Sequence, residues 1–181
     1  MMTGGSSISS VAFTADSKTL VSAVAIAPSG SGEITFWDVP SRTVIRRVKE
    51  NPGAVTGVAL LPDSSLLASV DNNKTISLWE VATGERKTSI QWGTQDVSSI
   101  GFSPDGETMV SSGVHVSLWD ARTGQARISL TDQLGFSYAV FSGDGRRLAA
   151  AGPEHSIYVW ELEPTENRVS IVDEAPANNG Q

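Results

Sequence analysis

Three short stretches decide the fold of this chain: FSPDG at residues 102–106, VSLWD at residues 116–120 and TG at residues 123–124. The first places a turn directly after a large apolar residue. The second is an apolar strand pattern that ends in tryptophan and an acid, and the third holds a glycine that can adopt the positive φ of a tight turn. Together they predict short strands joined by tight turns.

The tryptophan of this unit recurs at a nearly constant spacing. The intervals are 42, 40 and 41 residues, and an acidic residue follows each tryptophan: Trp37, Trp79, Trp119 and Trp160. A turn acid recurs ahead of each one at the same period: Asp16, Asp63, Asp105 and Asp144. Two marks with one period indicate an array of four copies of one unit.

Each unit predicts a four-stranded antiparallel meander, so the fold class is all-β. The predicted inner strands are 7–13, 54–60, 97–102 and 136–141, and the predicted outer strands are 43–49, 86–92, 125–131 and 167–173. The resulting division is a tail at 1–6, units at 7–50, 51–93, 94–132 and 133–173, and a disordered C-terminal tail at 174–181. Turn-forming residues between the strands support these boundaries.

The three stretches quoted first closely resemble the repeat of the WD-repeat β-propeller family. The resemblance covers residues 7–173 and implies four propeller blades, with the four tryptophans in the blade core. It also implies a hydrogen-bonded tetrad that is incomplete here. The strand hydroxyl is present as Ser22, Ser69 and Ser111 but replaced by Ala150, and the Gly-His pair is missing. Other residues stand where the family has its loop Asp: Ser31, Asn73, Gly113 and Glu154.

The first unit is longer than the others between the inner-strand apolar residue and the tryptophan. This spacing is 24 residues there and 19, 17 and 19 residues in the later units. The excess falls at residues 28–32, which are Pro, Ser and Gly only and predict a flexible surface loop between the second and third strands.

Four blades leave an apolar face at each end of the array unless the ring closes. Three arrangements remain open: part of a propeller of about seven blades, two chains that meet to give about eight, and a closed four-blade ring. We favour the first two, a partial propeller or half of an eight-blade dimer, because a four-blade ring demands the sharpest turn between blades.

Composition narrows the chemistry. The net charge of −7 disfavours binding to nucleic acid, since polyphosphate is bound through positive charge. There are no cysteines and only two histidines, without a metal-ligand spacing, a nucleophile elbow or a phosphate-binding loop. We therefore expect no enzyme activity, no cofactor and no metal. No signal or membrane segment is evident, so we expect a cytoplasmic protein without a membrane partner.

The function that the resemblance implies is a scaffold for protein or peptide partners, which the family binds on the loop-rich face. The candidate contacts lie in the loops expected there: Asn72, Asn73, Trp92, Thr94, Gln95, Gln133, Glu154 and His155. Trp92 stands out because it lies off the tryptophan period, and exposed tryptophan is enriched at interfaces. The alternatives are an assembly fragment of a larger signalling protein and, with less support, an enzyme or sensor with a site on the propeller axis.

Overall fold

A computed structural model describes residues 6–26, 30–50, 53–91, 97–130 and 135–162. These residues form fifteen strands and one short 3-10 turn, Pro153–His155. The strands are β1 Ser6–Phe13, β2 Thr19–Ile26, β3 Ser31–Asp38, β4 Thr43–Glu50, β5 Val55–Leu60, β6 Leu66–Asp71, β7 Thr75–Glu80, β8 Arg86–Gln91, β9 Val97–Phe102, β10 Thr108–Gly113, β11 Ser117–Asp120, β12 Ala126–Ser129, β13 Tyr138–Phe141, β14 Arg147–Ala151 and β15 Ile157–Glu161.

The strands form four antiparallel meanders, which confirms the predicted blades. Blade 1 is β1–β4, blade 2 is β5–β8, blade 3 is β9–β12 and blade 4 is β13–β15. The outer strand predicted at 167–173 and the tail predicted at 174–181 lie outside the described residues. Strand β1 begins at Ser6, one residue inside the predicted N-terminal tail, and β13 begins at Tyr138, two residues later than predicted.

The prediction of a flexible loop at 28–32 was wrong for its last two residues. Ser31 and Gly32 belong to β3 and pair with Ile26 and Ala25 of β2. The additional residues of the first unit therefore lengthen this hairpin, whose two strands are each eight residues long. A side chain at Gly32 would collide with Val55 of the next blade, so glycine is required where the longer strand passes over it.

Each sheet has two faces with different roles in stacking. We call the face that carries the tryptophan the front face and the opposite face the rear face. Trp79 on the front face of blade 2 shares a buried cluster with Ile34 and Phe36 on the rear face of blade 1. Trp119 and Trp160 join the corresponding clusters with the rear faces of blades 2 and 3. Alternate side chains of each strand point to opposite faces of the sheet, so each strand contributes side chains to two different blade junctions.

The turns after the inner strands lie side by side along one edge, which we call the lower edge. The Ala15 N–H donates to Ser64 Oγ at 2.8 Å, which joins these turns in blades 1 and 2. Gly106 of blade 3 lies against Leu61 and Pro62 of blade 2, and one ion pair spans the same two blades. The turns between the second and third strands therefore share the opposite, upper edge.

Candidate partner-binding surfaces

In blades 1 to 3 the acid that follows the tryptophan fixes the turn to the outer strand. Asp38 accepts hydrogen bonds from Ser41, Glu80 accepts one from Thr83 at 2.5 Å, and the Thr123 N–H donates to Asp120 at 2.8 Å. The Thr123 N–H and the Arg127 guanidinium hold the pKa of the Asp120 carboxyl far below its usual range. These acids stabilise turns on the lower edge. The sequence alone had assigned them no role.

Three tryptophans use the strand hydroxyl that the resemblance implied. The indole N–H groups of Trp37, Trp79 and Trp119 donate to serine Oγ atoms at 2.8, 2.9 and 3.0 Å; the serines are Ser22, Ser69 and Ser111. Trp79, Trp119 and Trp160 are buried, whereas Trp37 is only partly buried, because none of the described blades covers its front face.

Blade 4, which has Ala150 at this position, packs its tryptophan differently. Tyr158 stacks on Trp160 with ring centroids 6.0 Å apart, and Phe136 makes an edge contact with Tyr158 at 5.3 Å. An aromatic cluster therefore supports the indole where the hydroxyl is missing.

The upper edge of blade 2 is held by a network that the sequence reasoning missed. Asp71 is buried, and its Oδ1 accepts the N–H groups of Asn73 at 2.9 Å and Thr75 at 2.8 Å. Asn72 exchanges two hydrogen bonds with the Ala54 backbone, at 2.9 and 3.0 Å. Asp71 lies two residues before the position at which the family pattern predicted an acid, so spacing alone did not reveal it.

Asn72 and Asn73 are both exposed on this turn, but their side chains differ in the contacts they make. The side-chain carbonyl of Asn72 already accepts the Ala54 N–H and so links the turn to the segment before β5. Asn73 has its backbone fixed by Asp71. Asn73 is therefore the better candidate to meet a partner.

The upper edge of blade 4 presents Glu154 and His155. Both side chains are exposed, and both residues have positive φ, at 55° and 61°. The Ser156 N–H donates to the Pro153 carbonyl at 3.1 Å and closes the turn. A left-handed conformation is unfavourable for residues other than glycine, so the rest of the turn must stabilise the backbone from which these side chains project.

The other four predicted contacts lie outside the described residues: Trp92, Thr94, Gln95 and Gln133. The structure therefore brings predicted contacts to the upper edges of blades 2 and 4. His155 does not join a metal-binding group, since the described residues contain no cluster of three or more His, Cys, Asp or Glu side chains suited to a metal ion.

The sequence pattern indicated a strand position for His115. In the structure this residue lies in the bend between β10 and β11. It lines an open cleft of about 430 Å³ beside the outer strand of blade 3, together with Trp119 and Arg127. The cleft wall is mainly apolar.

The two ends of the array expose large apolar side chains. On the front face of blade 1 these are Ile8, Val11 and Phe13, and on the rear face of blade 4 they are Tyr138, Val140 and Ile157; each is at least half exposed. Their counterparts at the internal junctions are buried or partly buried. Contiguous apolar surface of this kind marks an interaction site in a folded protein.

The described residues define four stacked antiparallel blades of the β-propeller type. Residues 42–80 match the family model described as "WD domain, G-beta repeat". In the part of the chain that the structure describes, no helix is long and apolar enough to cross a membrane.

Curated relatives agree with the family model. The chain is 27% identical over 101 residues to Protein tipD of Dictyostelium discoideum, which covers 55% of this chain and 16% of that protein. It is 25% identical over 141 residues to WD repeat-containing protein SL1-17 of Schistosoma mansoni, covering 77% of this chain and 47% of that protein. WD repeat-containing protein 18 of Danio rerio is 27% identical over 162 residues, covering 79% of this chain and 36% of that protein.

The family match and these relatives support a WD-repeat family for this chain. It spans less than half the length of each of these three relatives. Membership in this family supports a general role as a protein-interaction scaffold.

Proposed function

We propose that the chain is a non-catalytic scaffold that binds a protein or peptide partner on its upper edge. The observation that carries this proposal is the fixed presentation of exposed polar side chains there, at Asn73, Glu154 and His155. Their turns are held by hydrogen bonds from buried or backbone groups. A preorganised surface loses less conformational entropy on binding, so it can bind with few contacts.

The charge of the surface indicates what kind of partner fits. The net charge of −7 opposes nucleic acid and anionic membranes and favours a polar or basic peptide. Asn73 offers an amide that can donate and accept, Glu154 offers an acceptor and His155 offers ring nitrogens for hydrogen bonding. These groups suit an extended peptide that supplies backbone groups and a basic side chain.

The test is peptide selection from a displayed library, followed by affinity measurement with synthetic versions of the selected peptides. The variant Asn73→Ala/Glu154→Ala/His155→Ala should lose more than tenfold in affinity. The matched control is Lys18→Ala/Glu107→Ala, which changes exposed residues on the lower edge and should bind as the parent does. Equal affinity of the triple variant and the parent would rule out the upper edge as the binding surface.

A further inference from the structure

The open ends of the array are the two unpaired halves of one kind of junction. At the junction of blades 1 and 2, the front half supplies Val58 and Trp79, and the rear half supplies Ile34 and Phe36. The next two junctions repeat the arrangement: Trp119 packs with Ile76 and Leu78, and Trp160 with Val116 and Leu118. The three internal junctions therefore show which kind of face covers a front half and which kind covers a rear half.

Blade 1 carries an unused front half. Phe13 pairs with Leu20, which also pairs with Trp37, so these three side chains share the front face. Val11 is the counterpart of Val58 by its position in the inner strand, yet Val11 is 57% exposed while Val58 is 8% exposed. By analogy with the internal junctions, the face that would cover this front half is a rear face that carries aliphatic residues just before the tryptophan of its own blade.

Blade 4 carries an unused rear half of that description. Ile157 and Val159 stand three and one residues before Trp160, the same positions that Ile34 and Phe36 hold before Trp37. Ile157 is 67% exposed, although Ile34 is fully buried. Between the inner strand and β15, the small residues Ala149 and Ala151 pair with Val159 and Ile157 on this face.

We propose that the front face of blade 1 packs on the rear face of blade 4 of a second copy, so that two chains close one eight-blade ring. A second copy is the occupant to which the structure points, because it supplies both missing halves in equal number. The two contacts are identical and head-to-tail, and such contacts give a finite ring when the rotation closes. Eight blades lie within the range of known propellers.

The inner strand of blade 4 carries one residue that would make the proposed junction differ in width from those within the chain. Tyr138 stands where the first three blades have Ser10, Gly57 and Ser99. Ser10 lies close enough to the next inner strand for the Val58 N–H to donate to its Oγ at 3.2 Å. A tyrosine at that position sets the two strands further apart. The partner's β1 offers Ile8 and Val11, both exposed, for the tyrosine ring to cover.

This assembly uses faces separate from the upper edge, so it can fail without affecting the proposed peptide binding. The first measurement is the mass by light scattering over a range of concentrations. The expected result is a reversible dimer of the 19.1 kDa chain. A monomer at all concentrations, or a continuous series of larger species, would overturn the ring.

Two end variants test the head-to-tail arrangement. Val11→Asp disables the front face and Ile157→Asp disables the rear face, and both residues are exposed, so each variant should fold. Each variant alone should dimerise more than tenfold more weakly, because every junction then contains one buried aspartate. The control Ile128→Asp lies on the outer strand of blade 3, away from both ends, and should dimerise as the parent does.

Mixing the two end variants gives the decisive result. The mixture can form one junction from the intact rear face of Val11→Asp and the intact front face of Ile157→Asp. A heterodimer should therefore appear in the mixture, weaker than the parent dimer but stronger than either variant alone. If one variant by itself keeps full dimer affinity, or if mixing restores nothing, the head-to-tail ring is refuted. Circular dichroism of each variant shows whether it is folded.

Discussion

Removing one buried hydroxyl measures how the blades depend on the tryptophan hydrogen bonds. In Ser69→Ala the Trp79 indole N–H loses its 2.9 Å acceptor inside a cluster where the tryptophan is 4% exposed. An unsatisfied buried donor costs about 1–3 kcal/mol. With a urea dependence of about 2 kcal/mol per molar, a loss of about 2 kcal/mol lowers the unfolding midpoint by about 1 M.

The same change in blade 1 is the matched comparison. Ser22→Ala removes the 2.8 Å acceptor of Trp37, but this indole is only partly buried in the single chain, so water can replace the hydroxyl at protein concentrations low enough for the chain to be a monomer. We expect a loss below about 1 kcal/mol for Ser22→Ala. Urea unfolding of both variants is measured at one protein concentration. The comparison requires that the unfolding free energy of both variants depends equally on the urea concentration. An equal or larger loss for Ser22→Ala would refute the assignment of burial as the cause.

A double-mutant cycle separates the bond from the rest of the serine side chain. Trp79→Phe removes the donor while keeping an aromatic ring in the cluster. If the bond carries the effect, Ser69→Ala should cost clearly less in the Trp79→Phe background than in the parent. The same loss in both backgrounds would show that the serine acts through other contacts.

Two further predictions concern the lower edge. Gly124→Ala should lower stability by about 1–2 kcal/mol or more in thermal or urea unfolding, because the residue has φ of 71° and its new methyl would collide with Ile90. Gly135→Ala, at φ of 96° with open space around it, should show the conformational cost alone. Because its pKa is lowered in the folded state, ionised Asp120 stabilises the fold at pH values above its unfolded pKa of about 4. This stabilisation is lost as the pH falls below that value. Tm should therefore fall less steeply between about pH 5 and 2 in Asp120→Asn than in the parent.

The features that the sequence predicted well are local and repeated. Strand β9 falls on the predicted residues, and Ser22, Ser69 and Ser111 bond the tryptophans, because fixed spacing within a meander fixes cross-strand partners. The pairing of Ser31 and Gly32 was missed, since small polar residues suit a loop and a longer hairpin equally. The choice between a loop and a longer hairpin depends on the passage of Gly32 over Val55 of the next blade. This is a contact between units, and no local sequence pattern encodes it.

The candidate site was less predictable for a related reason. Asn72 and Asn73 look alike in sequence, but a single backbone contact to Ala54 commits the Asn72 carbonyl and leaves Asn73 to face solvent. Asp71 reaches two N–H groups from an unexpected position because the turn folds back on it. Which polar side chains are structural and which are available depends on turn geometry, and the family spacing rule does not contain that information.

The outer corner of blade 1 differs from those of blades 2 and 3 in a way that the proposed junction must accommodate. Gly84 and Gly124 close the turns before the outer strands of blades 2 and 3, and each lies against the outer strand of the preceding blade with no room for a side chain. Arg42 holds the same position in blade 1 and also has a positive φ, at 58°. Tyr138 is likewise larger than the serine or glycine at the same position of the first three blades. In the proposed dimer the two larger residues lie at the same junction, one from each face, so that junction is expected to be wider than the internal ones.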